Sequence, residues 1–297
     1  MPETILHIGY PKTGTSWFTD FFYPAVTNAY VSYNKDLHYS FRPENEFFEV
    51  RRSKDMSPGE KHVVIAHKLT GLVDFVWNNG AYRDFFVRQL KHHFPDAHIV
   101  LFLRNQMTFM ASAYSSYLTH GGTYTFKKLF RTGKLGDGSM FAFDYLKYDE
   151  MIALYKSHFE KVSVYVYEDF LDDNILFLKR FCKETGLEAD MESLKMVKYN
   201  EKLRRRFAAF IRICNLFQKK GVQPKRYWVN LPFLFRWMTK QRLIHYNYYR
   251  FWGKKLSTEQ ALGNELMAYI GEYYKESNRN LIQSYGLTQI EKYRYPI

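Results

Sequence analysis

The chain has 297 residues, 46% of them hydrophobic, with only 16 Gly and 9 Pro, which excludes a disordered or low-complexity polymer. Its formal charge of +13, from 43 Lys and Arg against 30 Asp and Glu, suits a polyanionic partner: a nucleotide, a nucleic acid, an acidic glycan or an anionic membrane. A solvated basic surface with no special partner is the plain alternative.

In chain order, Ile5 to Gly9 is an apolar run that stops at a turn rich in Gly and Thr, Tyr10 to Thr15, and Ser16 to Phe22 then reads as the start of a helix. His62 to Ala66 is a second strand, Tyr82 to Phe94 a helix ending at Pro95, and His98 to Leu103 (HIVLFL) the strongest strand of the chain. Met107 to Leu118 has helical spacing broken by Gly121-Gly122, and Asp144 to Phe159 reads as a further helix. Val162 to Tyr167 is another buried strand, and Ile175 to Thr185 a helix closed by Gly186. Strands alternating with helices predict one α/β domain over 1–297, a central parallel sheet with helices on both faces. Residues 198–255 form a basic, aromatic-rich excursion broken by Pro224 and Pro232, followed by a long helix over 258–284 with a Ser257/Thr258 cap.

The two cysteines, Cys182 and Cys214, show neither a CxxC pair nor metal-ligand spacing, so ordinary buried thiols in a reducing compartment are expected. The first residues lack a basic stretch followed by a long apolar run, so neither a signal peptide nor a membrane anchor is expected and a cytoplasmic location is predicted.

The sharpest feature is Tyr10-Pro-Lys-Thr-Gly-Thr-Ser-Trp17 after the first strand. A loop holding Gly14 and small hydroxyl residues can aim several backbone N–H groups at one anion, and the following helix N-terminus adds its positive end. Thr13, Thr15 and Ser16 add hydroxyl donors and Lys12 a compact charge. The G-x-x-x-x-G-K-[ST] arrangement of nucleotide hydrolases does not fit, because Lys12 precedes Gly14. The run from Pro11 to Trp17 resembles the 5′-phosphosulfate-binding loop of sulfotransferases that use 3′-phosphoadenosine 5′-phosphosulfate (PAPS), written P-K-[ST]-G-T-[ST]-W. A second feature fits the same family: Arg104 ends the HIVLFL strand, with Ser112 eight residues later. There an arginine and a serine so spaced grip the 3′-phosphate, the arginine bidentately. A helix-capping Asn105 beside an incidental arginine is the plain alternative.

The resemblance implies PAPS as cofactor, 3′,5′-ADP as product and no metal, with Lys12, Thr13, Gly14, Thr15, Ser16 and Trp17 around the phosphosulfate. Sulfonate transfer also needs a base for the acceptor proton. Lys35-Asp-Leu-His-Tyr39 resembles the K-E-x-H-[FY] segment of glycan-type and many bacterial members, which gives Asp36 that role. His38 is the first alternative, since its ordinary pKa suits the task, and His67 in Ala66-His67-Lys68 the second. Val166-Tyr-Glu-Asp169, Asn278-Arg-x-Leu-Ile282 and Tyr293-x-Tyr-Pro296 are weaker echoes of the family and read as structural.

The glycan-type resemblance points to a carbohydrate or glycolipid with a hydroxyl or amine as acceptor; the partner is a small molecule or a glycan, and an anionic one stays open. The 198–255 segment is read as a cover for that acceptor or as a surface resting on an anionic membrane with Phe233, Phe235 and Trp237 dipping in; the plain alternative is packing onto the core. Two further functions stay open: an ATP-dependent kinase using Mg²⁺, and a basic nucleic-acid-binding module. Nucleic acid is not the expected partner, and the oligomeric state stays open.

Overall fold

The computed structural model describes residues 3–32, 37–42, 47–52, 60–65, 80, 82–131, 140–196, 202–219, 221, 225–231, 233 and 238–297, with only the backbone of 37–42, 47–52 and 240. Its strands are β1 (Thr4–His7), β2 (Ala29–Ser32), β3 (Leu37–Arg42), β4 (Phe47–Arg52), β5 (Lys61–Ile65), β6 (His98–Leu103) and β7 (Val162–Val166). Five of them form one parallel sheet in the order β2-β5-β1-β6-β7. β3 and β4 pair antiparallel as a separate hairpin with no counterpart in the sequence reading.

The helices are α1 (Thr15–Trp17), α2 (Arg83–His93), α3 (Gln106–Thr119), α4 (Phe126–Leu129), α5 (Tyr148–Lys156), α6 (Tyr167–Asp172), α7 (Asn174–Thr185), α8 (Arg205–Asn215), α9 (Lys240–Asn247), α10 (Thr258–Tyr285) and α11 (Gln289–Lys292). α1 runs on without a break through a π-type turn, Phe18–Phe22, and a 3-10 turn, Tyr23–Ala25.

The strand period of two sorts the core into two layers. Leu6, Ile8, Val64, Ile99, Leu101 and Leu103 face a cluster built with α2, α3, α5, α8 and α10. Ile5, Val63, Ile65, Val100, Phe102 and Tyr165 face the other way, onto Trp17, Phe18 and Phe22 and onto Phe177, Leu178 and Phe181 of α7. Helices therefore cover both faces of the sheet, as the alternating pattern predicts. All six residues of β6 are buried, which explains why HIVLFL lacks the polar alternation of a half-exposed strand.

The helix expected from Asp144 is corrected. Residues Phe143–Leu146 form a 3-10 turn, Lys147 is extended (φ −76°, ψ 94°), and α5 begins only at Tyr148. Asp144 accepts from the Tyr273 hydroxyl at 2.7 Å and pairs with Lys147 at 2.8 Å, which holds the turn away from the helix axis. α10 starts at the expected cap, where Ser257 and Gln260 make reciprocal bonds, but it kinks at Gly263 (φ 73°, ψ 164°). Gly186 closes α7 in the left-handed conformation the sequence requires. No helix among the described residues is long and apolar enough to cross a membrane.

Candidate nucleotide-binding site

The chain passes from β1 outward to β2 and β5 on one side and then to β6 and β7 on the other. β1 and β6 are adjacent, so the loops leaving their carboxyl ends diverge and open a crevice there. Lys12 to Trp17 follow β1 and Arg104 follows β6 at that point.

β1 continues as a ladder past His7, with Ile8 N–H donating to Val100 O at 2.9 Å and Tyr10 N–H to Phe102 O at 3.2 Å. The chain then turns sharply. Lys12 takes φ 70° and Gly14 φ 84°, two left-handed residues in three. The Thr13 hydroxyl donates to Tyr10 O and braces the turn from within. The first helical bonds run from Trp17 N–H (2.8 Å) and Phe18 N–H (3.1 Å) to Gly14 O. The N–H groups of Gly14, Thr15 and Ser16 precede them and meet no protein acceptor among the described residues. A run of N–H groups left unpaired at a helix start can receive an anion. The Thr15 hydroxyl is buried there with no hydrogen-bond partner among the described residues, an arrangement that costs free energy unless a ligand completes it. Ser16 lies exposed beside it, while Trp17 is buried against Phe170 at 4.8 Å and donates through Nε1 to Lys195 O at 3.2 Å.

Gly14 also meets a neighbour that forbids a larger residue. A Cβ there would lie 2.8 Å from Cε2 of Tyr167, the residue that follows β7. The same Tyr167 ring lies under the Arg104 guanidinium at 5.1 Å. Arg104 donates through Nη1 to Lys12 O at 2.5 Å and through Nε to the Thr108 hydroxyl at 3.0 Å, and further N–H donors of its fork are uncommitted among the described residues. The arginine thus ties the β6 end to the β1 loop. Thr108 and Ser112 follow it at four and eight residues, so both project from the same face of α3.

Asn105 is the N-cap of α3, its Oδ1 accepting from Met107 N–H (3.0 Å) and Thr108 N–H (3.2 Å). The capping role therefore coexists with the arginine contacts. Asn105 also donates through Nδ2 to Tyr293 O at 3.2 Å and Arg294 O at 2.9 Å, and its N–H donates to Glu168 Oε1 at 3.0 Å. Glu168 accepts in addition from the Tyr295 hydroxyl at 3.0 Å; burial pushes its carboxyl pKa up, while the Asn105 N–H and nearby Arg104 pull it back. Asn278 accepts from Gln106 Nε2 at 2.8 Å and donates to Pro296 O at 2.7 Å. The three weaker sequence echoes thus lie together as a brace behind Arg104.

Sequence reasoning missed Tyr167 and Thr108. The spacing of Arg104, Thr108 and Ser112 carried a signal for the second, whereas Tyr167 is known only through the sheet order. Asp36 and His67 lie outside the described residues, as do Phe235 and Trp237. His38 lies in β3 opposite Arg51. Among the described residues no group of three or more His, Cys, Asp or Glu is placed to hold a metal ion.

No protein-family model and no curated protein matches the chain. Among solved structures, the chain is similar to a sulfotransferase from Alicyclobacillus acidocaldarius, at 17% identity over 73% of this chain and 93% of that one, with a TM-score of 0.44. It is also similar to mouse sulfotransferase SULT7A1 complexed with PAP, at 17% identity over 98% of this chain and 88% of that one, with a TM-score of 0.46.

Proposed function

We propose that the chain is a PAPS-dependent sulfotransferase. The observation that carries this reading is the loop itself: outward N–H groups at Gly14, Thr15 and Ser16, a buried Thr15 hydroxyl lacking a protein partner, and Arg104 bonded to the Lys12 carbonyl. A donor set of this kind fits a phosphosulfate at one end and a second phosphate near the arginine. PAPS, when bound, supplies a sulfonate on a phosphate leaving group.

The N–H groups of Gly14, Thr15 and Ser16, with the Thr15 and Ser16 hydroxyls, hold the 5′-phosphosulfate, and Lys12 offsets the charge that develops on the departing phosphate. Arg104 and Ser112 hold the 3′-phosphate. Asp36, or in its place His38 or His67, takes the acceptor proton. The acceptor is a carbohydrate or glycolipid hydroxyl or amine, and the enzyme acts in the cytoplasm without a metal.

Calorimetric titration with 3′,5′-ADP, ATP and 5′-AMP, on wild type and Arg104→Ala, tests the reading. Tight 3′,5′-ADP binding without Mg²⁺, weak 5′-AMP binding and loss in the variant are expected. Binding that needs Mg²⁺ and favours ATP would replace this reading with a kinase.

A further inference from the structure

Residues 202–255 hold 15 Lys and Arg and no Asp or Glu, whereas the rest of the chain holds 28 Lys and Arg against 30 acidic residues. The whole basic excess of the molecule is therefore gathered in one stretch. Its described parts are firmly seated. Phe207 and Ile211 of α8 enter the main core, and Asn215 donates to Leu118 O (2.9 Å) and Gly122 O (2.8 Å). Arg204 donates to Asn247 O at 2.9 Å and to Gly253 O at 2.5 Å, which joins the start of the stretch to its end.

A second stripe of α8 packs only at the edge of the core, through Phe210. Phe210 and Ile213, with Phe217 in the turn beyond, recur at i, i+3 and i+7 on the flank of the buried face. At one end Phe210 packs on Trp252 at 5.1 Å, which continues through Phe251 (4.5 Å from Trp252) to Tyr249 (6.0 Å from Phe251). At the other end Phe217 meets Trp228 edge-on at 5.9 Å. The result is a continuous apolar ridge, and its crest is open to solvent: Trp228 is 71% exposed, Phe251 65%, Ile213 53% and Val229 52%. Arg206, Lys219, Arg226, Arg242, Arg250 and Lys254, all exposed, belong to the same stretch. None of the six has an ion-pair partner among the described residues.

The chemistry of the ridge selects its partner. Ile213 and Val229 carry neither a hydrogen-bonding group nor a ring that stacks on a base or a sugar, so a nucleic acid or a soluble acidic glycan leaves them wet. A bilayer interface accepts such side chains, seats Trp and Tyr at headgroup level, and rewards each Lys or Arg when the lipids are anionic. We propose that the ridge from Tyr249 to Trp228 is the face by which the protein docks on an anionic lipid bilayer. Apolar side chains enter the interfacial layer and the arginines and lysines pair with lipid headgroup anions. The inference uses no residue of the nucleotide site.

The test is co-sedimentation of the full chain with phosphatidylcholine vesicles and with vesicles containing about a third phosphatidylserine. Wild type is expected to bind the anionic vesicles at least roughly tenfold more tightly and to lose that binding in high salt. I213S/F251S and R242E/R250E, all at exposed positions and checked for fold by circular dichroism, are each expected to lose roughly tenfold or more. Wild type that ignores anionic vesicles would overturn the proposal. So would I213S/F251S binding as tightly as wild type, which would leave a purely ionic surface; parallel titrations with an oligonucleotide and with heparin would then identify the polyanion.

Discussion

Gly14→Ala probes the loop at its most constrained point. With φ at 84°, an alanine held in place carries about 1–2 kcal/mol of left-handed strain. Its Cβ would also lie 2.8 Å from Tyr167 Cε2, so the ring must shift from beneath Arg104, giving up about 0.5–1 kcal/mol of cation–π contact. Together these amount to about 2 kcal/mol, and the loop can release them in two ways. If it keeps its shape, the loss appears as stability, a fall in Tm of roughly 3 °C for a chain of this length. If it relaxes, stability recovers but the N–H groups turn away, and affinity for 3′,5′-ADP falls by up to roughly thirtyfold. Thermal unfolding and calorimetric titration of one preparation measure both. In a Tyr167→Leu background the clash is absent, so a smaller loss is expected on adding Gly14→Ala. A Gly14→Ala protein with wild-type Tm and wild-type 3′,5′-ADP affinity would refute both the strain and the cradle.

Burial lowers the pKa of His98 from 6.5 to about 4, so the native state holds it neutral beside the Ser163 hydroxyl at 2.8 Å. The unfolded chain takes up the extra proton between those values, so stability from this residue is intact above pH about 6.5 and falls by at most about 3 kcal/mol towards pH 4; urea unfolding at several pH values should show His98→Asn losing much of this dependence, and an unchanged slope would remove His98 as the cause. Asn278→Ala leaves buried Gln106 and the Pro296 carbonyl without their partner, at a cost of about 2–3 kcal/mol. A lowered urea midpoint and faster proteolysis beyond residue 292 are the expected signs, and a wild-type midpoint would contradict the brace.

The parallel sheet could be read from the chain because β6 is buried on both faces, so His98 to Leu103 stands out as an apolar run, and the half-buried edge strand Val162 to Val166 is still rich in β-branched and aromatic residues. The loop was legible because a left-handed turn and an N–H cradle demand particular residues at particular places. Other features leave no such mark. The break at Lys147 is invisible to periodicity, since Tyr145, Tyr148, Ile152 and Tyr155 keep apolar spacing across it; it depends on Tyr273, more than a hundred residues away. Tyr167 gains its place under Arg104 only when β7 settles beside β6. The stretch 202–255 reads as short basic pieces because Pro224 and Pro232 interrupt it and its charges are all of one sign, although Phe207, Ala208, Ile211 and Cys214 of α8 keep helical spacing.

The corner behind Arg104 is assembled from segments far apart along the chain. Asn105 bonds Arg294 across 189 positions, Gln106 bonds Asn278 across 172, and Glu168 bonds Tyr295 across 127. Closing loops of that length comes late in folding, after local helices have formed and the sheet has collapsed. The expected order is therefore helix and core first and the seat for Arg104 last. In a refolding experiment, capture of 3′,5′-ADP should lag behind recovery of helical signal, which makes the ligand a clock for the last step rather than the first.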